Sequence, residues 1–348
     1  MQSCREIIDT LNLETGENAS LLMARYIKDL DDNNASRHDL FRAMAHAVSN
    51  AQDLYSQAFN IRQSVLSKTA VPGYFRTIQP LAAGLGNSSV LETGLTLNHI
   101  YGMPVLPASS IKGVTAHYCS EIFGSENPDY KGPDIDAPLQ PAGKIYEALF
   151  GKIYPEDAQE AGLLRFYDAW ILPECAENSF VKDIMTPHYG SDFIDPIPVS
   201  FLTVTGDFQL WIGCKNFEAD KKWIDFAFSL TEAALKDYGL GGKIRAGYGK
   251  MKRILSPEEV QERAKEKQRA DNLKAGFTYS EGDIVKVICK KVKMLKGKEK
   301  REFAFIEETG DKNAVRFEVV PKINEGEIVI AEVKRLEHGN HAYMLQAL

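Results

Sequence analysis

Cysteine is scarce and scattered in this sequence. The five present (Cys4, Cys119, Cys175, Cys214 and Cys289) are odd in number and never form a Cys-x-x-Cys pair. Zinc knuckles and disulfide frameworks need paired spacings, so neither is expected, and a reducing cytoplasm is the natural setting. Long apolar runs are missing too. No stretch approaches the roughly 18 residues that signal a membrane-spanning helix. The first 30 residues mix charge with apolarity, with no continuous hydrophobic core, which argues against a secretory signal. Positive charge is not in excess: the formal net charge is -7, unlike the basic balance of a generic nucleic-acid binder. A chain average does not describe one face, so a local basic groove remains open. What is present, 44% hydrophobic and 26% charged residues, is ordinary for a globular protein and excludes collagen, a disordered chain and a disulfide miniprotein. A length of 348 residues points to two units or one domain with large additions.

Residues 1–67 contain no proline and one glycine, Gly16, and read as a helical extension. From Asp39 to Leu66, apolar residues such as Leu40, Met44, Ala47, Val48, Ala51 and Tyr55 recur at three- and four-residue steps. That is the pattern of an amphipathic helix or helical pair, serving either as a cap on its own core or as a docking surface. A core follows over 68–255. Gly73 to Leu81 reads as a strand, and Ala82 to Ser89 as a Gly-, Asn- and Ser-rich loop. Gly94 to Leu97 reads as a short strand. The serines of Pro107-Ala108-Ser109-Ser110 look like caps of a helix running to Gly124. Leu163 to Ile171 reads as one strand, 173–198 as a loop-rich insertion, and Val199–Thr205 with Phe208–Cys214 as a hairpin turned at Gly206-Asp207. Ala219 to Tyr238 has the apolar stripe of a helix, ended by Gly239. This strand, helix, strands, helix, strand order is that of an α+β, ferredoxin-like fold. Residues 256–276 are highly charged and read as a linker helix capped at Ser256. Over 277–348, five short strands with glycines in the turns suggest a small β-barrel, of the oligonucleotide/oligosaccharide-binding type.

Four constellations carry chemistry. At the helix start, Ser109 and Ser110 offer hydroxyls, Lys112 a charge one turn in, and Gly113 room for close approach, beside a helix end that attracts anions. The alternative is a well-capped helix and nothing more. The stretch 239–250 is rich in glycine and cations. Gly241, Gly242 and Gly247 allow close backbone approach. Lys243, Arg245 and Lys250 supply charge, and Tyr248 a face for a base or ribose. It lacks the ending of a Walker loop and follows a helix, so it is not a dinucleotide fingerprint. Backbone binding of nucleic acid competes here with a flexible hairpin. Asp168, Asp183 and His188 form a potential acid–base or metal set, although such residues more often satisfy loop polar groups. Glu92 stands alone. Finally, Lys286 to Arg301 holds eight cations against the single acid Glu299. This is either a phosphate-binding face or a lysine-protected sheet edge.

Several of these segments, in order, resemble the RAMP superfamily of CRISPR proteins. They are the Gly84–Gly86 loop, Glu92-Thr93-Gly94, Tyr101 through Gly113, and Gly239-Leu240-Gly241-Gly242-Lys243 through Gly247-Tyr248-Gly249. Phe166-Tyr167-Asp168-Ala169, Asp183 to His188 and the helical extension are most similar to the sixth-subunit family of type III-B (Cmr) effector complexes. The resemblance covers about 70 to 255. It implies a ferredoxin-like, RRM-related core near the end of a filament of similar subunits. It also implies contact with the 3′ part of the guide RNA and, through it, with target RNA, in antiviral defence. The family's guide-binding positions fall on Ser109, Ser110, Lys112, Gly113 and the 241–250 loop. This sequence departs from the family at Ala108, where a glycine usually stands, and near Ala116 and His117, where an arginine often follows.

In such complexes target cleavage resembles the work of a sibling subunit with an aspartate in its first loop. The comparable stretch here, Gly84 to Gly94, offers Glu92 instead. The expectation is therefore a non-catalytic subunit without metal or organic cofactor, whose partners are guide and target RNA and other Cmr-type subunits, with no membrane. Two alternatives stand beside it. One is a guide-processing endoribonuclease using His99, His117 or His188 as base. The other is a protein-interaction cap.

Overall fold

The structure is a computed structural model. It describes the whole chain except residues 1–5, 8, 9, 30–34, 88, 92, 135–140, 153–158, 187–197, 296, 297 and 307–310. The chain divides into two compact units, Met1–Ile254 and Leu255–Leu348.

In the first unit three N-terminal helices, α1 (Ala19–Arg25), α2 (Ala35–Asn50) and α3 (Gln52–Leu66), precede the first strand. Their apolar steps bury Leu40, Met44, Ala47, Val48 and Tyr55 in the same core as the sheet. The Tyr55 hydroxyl donates to the Ile171 carbonyl at 2.6 Å, so these helices are tied to the sheet as well as packed on it.

The main sheet contains β1 (Ala70–Thr77), β2 (Val105–Leu106), β5 (Leu164–Phe166), β6 (Ala169–Ile171), β9 (Asp207–Cys214) and β10 (Met251–Ile254). Outside it, β3 (Gly151–Lys152) pairs with β4 (Glu160–Ala161), and β7 (Phe180–Met185) pairs with β8 (Val199–Val204). The sheet order is β10-β1-β9-β6-β2, with β5 on β9 beside β6. Helix α4 (Ala108–Tyr118) lies in sequence between β1 and β5, and α6 (Phe217–Asp237) between β9 and β10; a shorter α5 (Lys144–Phe150) leads into β3. Taking β5 and β6 as two halves of one strand, this is the βαββαβ order of the ferredoxin-like fold.

Helices α4 and α6 pack together, with Thr115 and Thr231 hydroxyls 3.1 Å apart. Ile224, Ala227, Phe228, Thr231 and Ala234 make the buried stripe of α6, at helical spacing. Gly73 is dictated by that packing, since a Cβ there would lie 2.3 Å from the Phe228 ring.

Some local expectations do not hold. The hairpin between 199–205 and 208–214 does not form: β8 pairs with β7, while β9 pairs with β1, β5 and β6. All eight residues of β9 are buried, as befits a strand in the middle of a covered sheet. The chain leaves β8 through Gly206 at φ 140°, which takes it out of one sheet and into another. The segment expected to be loop-rich supplies β7. The strand expected over 163–171 is broken at Tyr167-Asp168, and 94–97 forms only a bridge from Leu97 to Pro104.

In the second unit, α7 (Pro257–Lys274) opens with a capping box between Ser256 and Glu259. Five strands follow: β11 (Ile284–Leu295), β12 (Lys298–Phe305), β13 (Ala314–Phe317), β14 (Ile328–Glu337) and β15 (Ala342–Ala347). They close into a barrel in the order β11-β12-β13-β15-β14. Pairing is antiparallel except between β13 and β15. Phe277, Val285, Val287, Phe317, Val333, Tyr343 and Leu345 fill the interior. The Tyr343 hydroxyl donates to the Asp311 carboxylate.

Candidate nucleic-acid interface

Helix α4 starts at Pro107, whose φ of -59° and ψ of 135° suit a residue entering a helix. The serines do not cap it. Ser109 and Ser110 sit inside the first turn, and no side chain of the cap residue itself bonds to the helix. The cap comes from across the chain: the Asp168 carboxylate accepts the Ala108 N–H at 2.7 Å. Asp168 can do this because it occupies the break between β5 and β6. An anion at this position also satisfies the helix dipole. Its own carbonyl accepts from Arg62 at 2.5 Å, and that guanidinium lies 4.6 Å over the Trp170 ring. Asp168 is thus engaged in structural bonds at both ends.

Beyond the cap, Ser109, Lys112 and Gly113 border a cavity of about 870 Å³. Among the described residues Lys152, Arg165 and Lys215 join them there, with Glu160 as the single acid and Tyr146 and Phe150 as aromatic wall. Burial lowers the pKa of the Lys112 ammonium. Gly113 is exposed, and a Cβ added to it would meet nothing within 4 Å. A glycine inside a helix costs about 1 kcal/mol relative to alanine. Packing among the described residues therefore does not explain Gly113; a close neighbour from outside would.

The glycine-rich segment begins where α6 ends at Gly239, with φ 79°. Its backbone is pinned to the segment after β1: Gly242 N–H donates to Ala82 O at 2.8 Å and Gly249 N–H to Pro80 O at 2.9 Å. Between these anchors lie left-handed Lys243 (φ 56°), a single turn at Ile244–Ala246 and Gly247 (φ 95°). Gly241, Lys243 and Arg245 are exposed, while Gly242, Gly247 and Lys250 are half-buried. Lys243 Nζ lies 5.8 Å from the Phe201 ring centre.

Tyr248 is less available than the sequence suggests. Its hydroxyl donates to Asp183 Oδ2 at 2.5 Å, and its ring leans on Phe201 at 6.2 Å. The bond to Asp183, followed by burial, pushes the phenol pKa up to about 12. Asp183 is thereby a partner of Tyr248. Glu92 and His188 lie outside the described residues.

Register sets the two constellations at different levels of the sheet. The glycine-rich segment leads into Met251 at the Thr77 end, whereas β2 runs from Val105 toward Ala169, away from that end, so that α4 begins beside Asp168 and its cavity reaches Leu164, Arg165 and Lys215 at the far end of β9. Thr77 at the close of β1 faces Met251 at the start of β10, and Phe208 lies beside both Phe75 and Ile171. Ala82 O accepts the Gly242 N–H, and Thr96 O accepts the Val105 N–H just ahead of α4. Among the described residues no hydrogen bond or ion pair joins 108–113 to 239–250, and the cavity beside α4 takes no residue from the glycine-rich segment. Lys152, Arg165 and Lys215 carried no signal in the sequence. They are single cations on separate segments, assembled only by the fold.

A profile of the RAMP superfamily matches residues 74–252. The Cmr6 subunit of the CRISPR system of Pyrococcus furiosus is 32% identical over 253 residues, spanning 58% of this chain and 73% of that protein. The Saccharolobus solfataricus Cmr6 subunit is 28% identical over 166 residues, spanning 46% of this chain and 48% of that protein. Among solved structures, a chain of the type III-B Cmr-beta complex bound to cognate target RNA is similar at 20% identity. It covers 65% of this chain and 76% of that one, with a TM-score of 0.45. The P. furiosus Cmr6 crystal structure matches at 28% identity over 53% of this chain and 98% of that one, with a TM-score of 0.33. Matched by the profile over about half its length, and aligned across most of the P. furiosus protein, the chain belongs to the RAMP superfamily and, within it, to the Cmr6-like proteins.

Proposed function

We propose that this chain is a non-catalytic RNA-binding subunit of a type III-B CRISPR effector complex, acting in the cytoplasm, which grips the ribose-phosphate backbone of the guide RNA near its 3′ part. The observation that carries this reading is that two separate backbone segments each set cations beside a glycine whose added Cβ would meet nothing within 4 Å, Gly113 on one and Gly247 on the other. The first turns of α4 bring Lys112 and the open Gly113; the fixed loop after α6 brings exposed Lys243 and Arg245. Cations set on rigid backbone, with glycines that let a strand come close, suit phosphates and leave base identity unread. Target RNA then reaches the subunit through its pairing with the guide. The structural engagement of Asp168 and Asp183 favours binding over catalysis, because each carboxylate already holds a structural hydrogen bond, to the α4 start and to Tyr248 respectively.

Neighbouring Cmr-type subunits are the second class of partner. Leu54, Ile61 and Val65 are 59%, 66% and 56% exposed on α3. Steps of seven and four residues put them on one face, an apolar stripe suited to a neighbouring protein.

The test for RNA is the full chain carrying Lys112→Ala, Lys243→Ala and Arg245→Ala, titrated against single-stranded RNA at roughly 50 to 200 mM salt. Each lost phosphate contact lowers the salt slope by about 0.7 for a single strand, so the triple variant is expected to lose about 2. An unchanged slope and affinity would refute the reading.

A further inference from the structure

The lysine-rich stretch of the second unit is not absorbed by the function above. Its physical setting begins with a register shift. Along β11 the odd-numbered residues Val285, Val287 and Cys289 point into the barrel and are buried. Simple alternation would send Lys291 and Lys293 inward as well. Instead Cys289 pairs with Phe303 and Lys291 with Glu302, leaving Lys290 as an extra, unpaired residue. That bulge reverses the alternation. Lys291 and Lys293 turn outward, opposite Glu302 and Lys300.

Cys289 still bonds to Gly326 and Glu327 ahead of β14, and Arg301 donates to Ile323 O at 2.8 Å; beyond Cys289 the described residues of β11 pair with β12. The side chains of Lys286, Lys290, Lys291 and Lys300 are exposed and, among the described residues, make no ion pair. Lys293 holds Glu302 at 3.0 Å. Lys293, Lys291 and Lys300 together lower that carboxyl's pKa, so one acid sits within the field of three ammonium groups.

The pairing of Lys293 directly across from Lys300 is unfavourable in isolation, since like charges opposite one another destabilise a sheet. Protection of a sheet edge needs only one or two charges and does not call for facing cations. A protein-binding face does not fit either. Lysine is depleted at the cores of protein interfaces, and among the described residues this face shows no exposed aromatic. Lysines two residues apart on a strand are about 6.8 Å apart, a repeat comparable with successive phosphates of an extended single strand.

We infer that the outward face of the β11–β12 hairpin, carrying Lys290, Lys291, Lys293 and Lys300, is a second nucleic-acid site that binds the phosphodiester backbone of a single strand. The barrel supports this assignment. Its strands close in the order first, second, third, fifth, fourth, with the third and fifth parallel, the arrangement of oligonucleotide-binding barrels, in which the second strand and the loop before it form part of the ligand face. The contact is electrostatic and indifferent to sequence, because no stacking platform accompanies the lysines.

The experiment uses the full chain and labelled oligouridine. Lys291→Gln, Lys293→Gln and Lys300→Gln are combined, once alone and once on top of the Lys112, Lys243 and Arg245 substitutions. A matching Lys→Arg triple keeps the charge. The glutamine triple is expected to lower the salt slope by about 2 and to weaken binding by about 10²-fold at the low-salt end, in both backgrounds, while the arginine triple binds like the parent. Binding and slope unchanged in the glutamine triple overturn the proposal. So does a glutamine triple that aggregates while its soluble fraction still binds fully, which would make the lysines edge guards. Because the two sets of substitutions are read separately, loss of one site is not mistaken for loss of the other.

Discussion

Replacing Asp168 by alanine separates a structural carboxylate from a catalytic one. The side chain accepts the first N–H of α4 at 2.7 Å. Loss of a cap costs about 1 kcal/mol, within a range of about 0.5–2. Loss of a negative charge at an exposed helix N-terminus adds about 0.5 kcal/mol. The total of about 1.5 kcal/mol corresponds to a fall in Tm of about 3–6 °C for a unit of this size. Asp168→Asn keeps an acceptor oxygen and drops only the charge, so it is expected to cost about a third as much. All three tryptophans, Trp170, Trp211 and Trp223, lie in the first unit. Tryptophan fluorescence during thermal or urea unfolding therefore reports that unit without interference from the barrel. RNA affinity in the alanine variant is expected to hold or rise, since an anion competing for the helix end is gone. Equal destabilisation by asparagine and alanine, or none by either, would refute the capping argument. Abolished RNA binding in a folded protein would refute the structural role.

Tyr248→Phe removes the bond to Asp183 and is expected to cost about 1 kcal/mol near neutral pH. Because the folded pKa is raised from 10.0 to about 12, that contribution is complete below pH 10 and fades as pH climbs toward 12. The gap between parent and variant should close over that window, and a constant gap would show that the hydroxyl is not the source. Gly113→Ala fills open space in a helix and should stabilise the first unit by about 0.5–1 kcal/mol while weakening RNA binding; a stabler protein with undiminished affinity would remove Gly113 from the interface. Ile61→Asp on the exposed face of α3 should leave stability within about 0.5 kcal/mol and reduce co-purification with neighbouring subunits. Full recovery of the assembly would show that the stripe has no partner.

The order of the ferredoxin-like core could be read from local pattern because its two helices carry strong signatures. The stripe ending at Gly239 needed no tertiary knowledge, and α6 runs Phe217–Asp237 against an expected 219–238. The barrel strands were legible for the same reason, their turns being marked by glycine. Errors arose where the deciding interaction was remote in sequence. Serine is a good cap, yet Asp168, sixty residues downstream, takes that role. Gly206-Asp207 looks like a hairpin turn, yet β8 and β9 lie in different sheets, a choice made by the partners of β9. Lys112 and Gly113 were visible as a charged helix start. The cations that share their cavity were not, because Lys152, Arg165 and Lys215 become neighbours only after folding.

The unpaired residue at position 290 sets the parity of everything after it on β11. Were Lys290 drawn into the ladder opposite Glu302, each later residue would slide by one, carrying Lys291 and Lys293 toward the core and Val292 toward water. Removing Lys290 would instead leave an uninterrupted ladder with Lys291 still facing Glu302. The arm's positive side is therefore held by alignment between two strands, and a one-step slip would silence it with every charge still present.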